Sequence, residues 1–180
     1  MAGASFSTRI DGSAAINARL AALAAANGDL SDLMDGIGLY LESSTIERFD
    51  TETAPDGSAW EKSQRAKDEG GKTLTDTARL KLSITHRSSA TEAEVGTNVI
   101  YARPHQYGMD ETVSVGAHTR TINQAFGRSI PGGLTINVGS FERQMKMPKR
   151  EFLGISSEDE TEILALTEDY ERDAVPEIEG

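Results

Sequence analysis

The chain has 180 residues, 37% of them hydrophobic, and a mean hydropathy of −0.42, which predicts a soluble protein built on one domain of ordinary size. It contains no cysteine, and this excludes disulfides, thiolate metal sites and a cysteine nucleophile. The formal charge of −11 disfavours a protein that wraps DNA, because such proteins need a cationic surface. Since a signal-peptide pattern and an apolar run of about 20 residues are both lacking, we expect neither secretion nor membrane insertion.

Acidic residues are concentrated at the end of the chain. Residues 156–180 hold ten Asp or Glu and one basic residue, Arg172, whereas the remaining 155 residues hold 19 acidic and 17 basic ones. The main body is therefore close to neutral, and residues 171–180 are predicted to form an acidic tail.

Apolar residues at helical spacing predict two helices near the start. The first is capped by Ser13 and stopped by Asn27-Gly28. The second starts near Asp29 or Ser31 and runs to about Phe49. The positions that carry the pattern are Ile16, Leu20, Leu23, Leu33, Ile37 and Leu41.

Turns and polar connections follow these helices. Pro55 and Gly57 have the chemistry of a tight turn, and residues 62–72 read as an exposed connection. A short helix is predicted from about Thr75, changing to a strand near Lys81.

Alternating apolar and polar residues predict two hairpins. The first turns at residues 88–91, and its second strand is expected to extend through Val99 to Tyr101. The second spans about residues 112–140 and has few bulky apolar residues for its length. We therefore interpret it as an arm that packs against a neighbouring subunit.

A helix is predicted at the C-terminal end, capped by Ser156 or Ser157 and carrying acidic residues in its first turn. Together these elements predict an α+β fold: N-terminal helices packed on a mostly antiparallel β-sheet, a protruding β-hairpin arm and a C-terminal helix. Residues 1–170 would form a single domain with the arm inserted at about 112–140.

Candidate catalytic and metal-binding residues are sparse. The three histidines are His86, His105 and His118, and no two of them fall within one helical turn. The sequence has no HExxH pattern, no G-x-S-x-G elbow and no phosphate-binding loop. We therefore expect no catalytic residue, no metal and no cofactor, and so no enzyme.

A basic cluster precedes the C-terminal helix and consists of Arg143, Lys146, Lys149 and Arg150. It could contact nucleic acid. We favour an acidic surface of a partner, for instance the C-terminal helix of a neighbouring copy.

Polar groups crowd together in residues 96–111, where they could form either a catalytic pocket or a structural corner. Pro104 lacks a backbone donor and would end a strand, and Gly108 would let the chain reverse. His105 and Gln106 have side chains able to bond backbone groups there.

Four short blocks occur in order between Phe49 and Leu166. They are a phenylalanine before a P-x-G-x-x-W turn, a T-G-x-L-like element, a V-G-T strand leading through Y-A to an H-Q-x-G corner, and a P-x-R-x-F-L-G segment. Here they are Phe49, Pro55, Gly57 and Trp60; Thr77, Ala78, Arg79 and Leu80; Val95-Gly96-Thr97, Tyr101-Ala102 and His105-Gln106-Tyr107-Gly108; and Pro148, Arg150, Phe152, Leu153 and Gly154. The ordered set resembles the Mu-like virion-morphogenesis proteins of tailed phages, also called tail-completion proteins.

The resemblance implies a virion component that finishes tails or joins them to DNA-filled heads, without a catalytic activity. It favours the structural corner over the pocket. The residues that we expect in structural or interface roles are Trp60, Tyr101, His105, Gln106, Gly108, Arg150, Phe152 and Leu153.

Subunits that bury an arm in a neighbour commonly close into rings through heterologous contacts. We therefore expect a ring, a hexamer, at the head–tail junction of the virion, assembled in the host cytoplasm. Its partners would be its own copies and the adjacent neck and tail-tube proteins, with DNA only as passing cargo and no membrane. A neck stopper or adaptor ring nearer the portal is an alternative, as is a phage-encoded metal-dependent enzyme acting through His105 or His118.

Overall fold

The computed structural model describes residues 14–174. The described residues form two compact units: residues 14–107 with 148–174, and residues 108–147. The proposed cap Ser13 and the last six residues of the acidic tail lie outside the described residues. None of the helices within 14–174 is long and apolar enough to cross a membrane.

Three helices build one end of the first unit: α1 (Ala14–Asn27), α2 (Ser31–Thr51) and α5 (Ser157–Ala174). Their apolar stripes meet in one buried cluster, so the two N-terminal helices and the C-terminal helix are confirmed. α2 stops at Glu52, which adopts a left-handed conformation with φ 57° and donates its N–H to the Arg48 carbonyl. The cluster consists of Ile16, Leu23, Leu30, Leu33, Met34, Ile37 and Ile163.

A second buried cluster is centred on Phe49 at the end of α2. The ring of Phe49 lies 5.5 Å from Trp60 in an edge-to-face arrangement and 5.3 Å from Phe152. The remaining members come from the middle of the chain and from Leu153, so this cluster joins segments that are far apart in sequence. They are Leu80, Ile84, Val99 and Ala102.

The region after Trp60 differs from the prediction. A short helix, α3 (Gln64–Asp68), lies inside the predicted polar connection, and the expected helix from Thr75 is absent; a 3₁₀ turn spans Lys81–Ser83 instead. The physical reason is that Leu74 and Ala78 have φ values of 62° and 56°, which a right-handed helix cannot contain.

Strands β1 (Thr85–Ser88) and β2 (Ala93–Gly96) form a small antiparallel hairpin in contact with α2. The predicted extension of the second strand to Tyr101 is wrong. The Thr97 hydroxyl accepts the Val99 N–H at 3.1 Å, and this local bond turns the chain out of the strand and into α4 (Ala102–Tyr107).

The second unit contains four strands and pairs them in a nested hairpin. β3 (Met109–Val115) pairs with β6 (Phe141–Met147), and β4 (His118–Ala125) pairs with β5 (Arg128–Val138). None of residues 108–147 is buried, so this unit has no core of its own.

The α+β class with antiparallel strands and a C-terminal helix is confirmed. The strands of residues 14–174 form three separate two-stranded sheets. Each strand of this part of the chain pairs with one partner only.

His86 links β1 to α2 and makes stability depend on pH. Its Nδ1 lies 2.7 Å from a Glu42 carboxylate oxygen, and this bond, with Asp35 at 3.5 Å from Nε2, raises the pKa of His86. Because the pKa of His86 is raised by folding, the contribution of His86 to the free energy of unfolding is fully present below the unfolded-state pKa of about 6.5. This contribution is lost as the pH rises through the folded-state pKa.

We therefore expect the melting temperature of the wild type to exceed that of a His86→Gln variant by the largest margin below about pH 6.5, with the margin shrinking as the pH rises above that value. The measurement is a pair of thermal unfolding series across this range at fixed ionic strength. A margin that does not change with pH would show that the imidazolium contributes nothing.

Candidate functional site

The candidate site is a joint around residues 148–156, here called the joining segment. Its centre is Gln106, a residue of α4 whose side chain is 1% exposed. The Gln106 amide nitrogen donates to the Leu153 carbonyl at 2.7 Å, and its oxygen accepts from the N–H groups of Phe152 and Leu153 at 3.0 Å each. One side chain thus satisfies three backbone groups of a segment that belongs to no helix or strand.

Three further hydrogen bonds hold the start of the joining segment. The Arg150 N–H donates to the His105 carbonyl at 2.7 Å, and the Arg150 Nε donates to the Glu61 carbonyl at 2.6 Å. The Trp60 indole N–H donates to the Glu151 carbonyl at 2.9 Å. The turn before α3, the helix α4 and the joining segment are therefore fixed by bonds to backbone atoms.

A buried ion pair holds the far end of the segment. Arg48 in α2 is 5% exposed and donates to the carbonyls of Phe152 and Gly154 at 3.0 and 2.8 Å. Its other nitrogen forms a salt bridge with Asp159 in α5, which is 1% exposed. The Asp159 carboxylate also accepts the Ser156 N–H at 2.8 Å, so it caps α5 as well as neutralising Arg48.

Sequence reasoning missed this pair, although signals for both residues were present. Arg48 stands beside Phe49 on the buried side of α2, where an unpaired charge would be costly. Asp159 follows Ser156 by three residues, which is the spacing of a capping box. What the sequence lacked was any sign that the two would meet across 111 positions.

Glycine is required at position 154 because the backbone there lies close to the ring of Pro55. A Cβ atom at this position would lie 2.4 Å from the Cγ of Pro55, a distance that side chains do not tolerate. The P-x-G-x-x-W turn and the F-L-G sequence are therefore parts of one packed joint.

We expect the His105 ring to bond backbone groups within the subunit or across to the next copy; its Nδ1 makes no bond of the first kind within residues 14–174, and the second stays a prediction. Its Nδ1 is buried and has no hydrogen-bond partner among the described residues, and burial together with the nearby Arg150 lowers its pKa. The backbone carbonyl of His105 makes the contact that we had assigned to the ring. The ring instead packs edge-to-face against Tyr101, at 6.3 Å between centroids, and Tyr101 is 40% exposed.

The four residues of the predicted basic cluster are divided between the two units. Arg150 is buried, and Lys149 pairs with Glu151 at 2.6 Å. Arg143 and Lys146 belong to β6 in the second unit, which begins at Gly108 with φ 75°. The expected placement of Gly108 at a chain reversal agrees with this φ value.

The chemistry of the joint is hydrogen bonding to backbone atoms. Within residues 14–174 no group of three or more His, Asp or Glu side chains could hold a metal ion. The bonds of the joint fix the positions of the segments that meet there.

Comparison with known proteins agrees with an assembly role. The model of the phage virion morphogenesis family matches residues 11–170. The chain belongs to this family. It is also 31% identical over 155 residues to the Mu-like prophage FluMu G protein 2 of Haemophilus influenzae, covering 86% of this chain and 88% of that protein. No solved structure matches the chain significantly.

Family membership supports a structural role in a phage virion. It also bears on Ala78, which stands where the resemblance has glycine. Because Ala78 has a φ of 56°, the backbone there needs a left-handed conformation, which glycine adopts without strain. This chain keeps the turn in spite of the substitution.

Proposed function

We propose that the protein forms a homo-oligomeric ring at the head–tail junction of a tailed phage, where it completes or terminates the tail and joins it to the head. The virion role rests on the family match over residues 11–170. The step from virion component to ring rests on one structural observation, the second unit without a core.

A unit of 40 residues that buries none of its side chains has little stability of its own, because a two-stranded hairpin is marginal in water. Contact with neighbouring subunits supplies the missing burial. Contacts of this kind join unlike surfaces and are called heterologous. They form a closed ring when the rotation from one copy to the next adds up to a full turn.

The charge of the protein suits a ring through which DNA passes. A formal charge of −11 gives a duplex no strong electrostatic attachment to the wall of a lumen. DNA would then be cargo, and the partners of the ring would be the adjacent neck and tail-tube proteins.

The test is a phage whose copy of this gene carries an early stop codon. If the protein terminates the tail, the lysate should contain DNA-filled heads, unjoined tails and tubes of abnormal length, because nothing caps the growing tube. Tails of normal length beside heads that lose their DNA would instead identify a neck stopper or adaptor.

Supplying the wild-type gene in trans is the control and should restore joined particles. Locating the chain in those particles by electron microscopy gives its stoichiometry and position. Normal particles without the protein would refute the proposal.

A further inference from the structure

The second unit holds two ladders in a common register, and the apolar face changes between them. The two residue numbers of a pair add up to the same value on both sides of a short break, where Val115 pairs with Phe141 and His118 pairs with Val138. The register is therefore the same in both ladders. In an unbroken ladder all odd-numbered residues would therefore share one face and all even-numbered residues the other.

The apolar residues change parity at the break. In β3 and β6 the odd positions are mostly apolar, and the even ones are polar or charged. In the regular part of the β4–β5 pairing, residues 118–122 with 134–138, the even positions are mostly apolar, with His118 and Arg120 as exceptions, and the odd ones are Thr and Asn. The odd apolar set is Met109, Val113, Val115, Phe141, Met145 and Met147, and the even apolar set is Ile122, Leu134, Ile136 and Val138.

The part beyond the break, residues 118–138, is here called the distal ribbon. Its apolar face is open, with Leu134 53% and Ile136 37% exposed. Its opposite face pairs Thr121 with Thr135 and Thr119 with Asn137 and needs no cover. An amphipathic ribbon of this kind is the pattern of a strand pair that rests on another surface.

The turn of the distal ribbon carries a residue that its conformation disfavours. Phe126 and Gly127 connect β4 to β5 with φ values of 51° and 76°, which is the two-residue turn that prefers Asn-Gly. Phe126 is fully exposed. In the single chain its ring therefore makes no contact that would offset the cost of the left-handed backbone conformation.

Charge indicates what covers the distal ribbon. It holds Arg120 and Arg128 and no acidic residue, whereas the rest of the chain holds 29 Asp and Glu against 16 Lys and Arg. Arg120 lies on the apolar face itself, opposite Ile136. Two ribbons packed face to face would bring arginines together with no carboxylate, while the acidic first unit of another copy offers the opposite charge.

We propose that the distal ribbon of one copy docks through its apolar face and Phe126 onto the acidic first unit of a second copy. This inference rests on the proposed ring and names the surface that builds it. The two contacting surfaces differ, so each copy gives its ribbon to one neighbour and receives a ribbon from the other.

Adjacent residues on opposite faces provide a matched pair of variants. Ile136→Asp places a carboxylate on the apolar face, and Asn137→Asp places one on the polar face of the same strand. Sedimentation of the full chain over a range of concentrations should show that Ile136→Asp raises the concentration for half-assembly about tenfold or more. Asn137→Asp should assemble like wild type.

A third variant separates docking from folding of the hairpin. Phe126→Asn creates the favoured Asn-Gly turn, so it should strengthen the hairpin and yet weaken assembly. The fluorescence of Trp60, the single tryptophan, reports that the first unit is folded in every variant.

Four results would overturn the inference: a wild-type chain that stays monomeric at all concentrations, unchanged assembly of Ile136→Asp, equal loss in Asn137→Asp, or stronger assembly of Phe126→Asn. The ribbon would instead be assigned to nucleic acid if the chain binds duplex DNA, Arg120→Glu abolishes that binding, and Ile136→Asp leaves assembly unchanged. The proposed virion role is tested separately, by the particles that the stop-codon phage produces.

Discussion

Replacing Phe152 with alanine is expected to destabilise the first unit by about 3–5 kcal/mol. Phe152 is fully buried, and its ring packs on Phe49, which in turn meets Trp60. Removal of the ring leaves a cavity at the point where α2 and the joining segment meet. The surrounding backbone is held by Gln106 and Arg48, so it cannot collapse to fill the space.

The measurement is urea unfolding at fixed protein concentration, followed by the fluorescence of Trp60. Leu82→Ala is the control, because Leu82 lies in the same unit and is 77% exposed; it should change stability by no more than about 0.5 kcal/mol. Equal effects of the two substitutions would contradict the buried position of Phe152.

Periodic features of this fold were readable in the sequence. α2 repeats apolar residues through Leu33 and Ile37, and both are buried as the spacing predicts. Trp60 and Phe152 stand out as large apolar residues beside turns, and they meet in the second cluster. These predictions succeed because each depends on a local pattern or on residue size alone.

Backbone conformation was less predictable. Leu74 and Ala78 take positive φ values without the glycine that would announce them, so a helix was expected where the chain turns. Thr97 ends β2 through a bond two residues along, which competes with the strand. Such local alternatives are decided by tertiary contacts that the sequence pattern does not contain.

The sequence predicted where the joint lies but not which side chains form its hydrogen bonds. Gln106 was recognised as a residue able to bond backbone groups, and it does so three times. His105 was given the same role, yet its Nδ1 has no partner within the described chain. Neighbouring residues on a short helix point to different sides, and the sequence of α4 is too short to reveal which side is inward.

Replacing Arg48 with methionine is expected to cost about 3–5 kcal/mol, because it leaves the carboxylate of Asp159 buried without a counter-ion. It also removes the donors that the carbonyls of Phe152 and Gly154 use. The double variant Arg48→Met with Asp159→Asn should lose less than the sum of the two single variants, since neither charge is then left alone.

The same urea unfolding series measures all three variants. Arg19→Met is the matched control, because Arg19 pairs with Glu171 at the surface of the α1–α5 contact and its loss should change stability little. Additive costs in the Arg48 and Asp159 cycle would mean that the two residues act independently. A coupling well above about 0.5 kcal/mol would instead show that the Arg48–Asp159 pair joins α2 to α5 directly, beside the end of the joining segment.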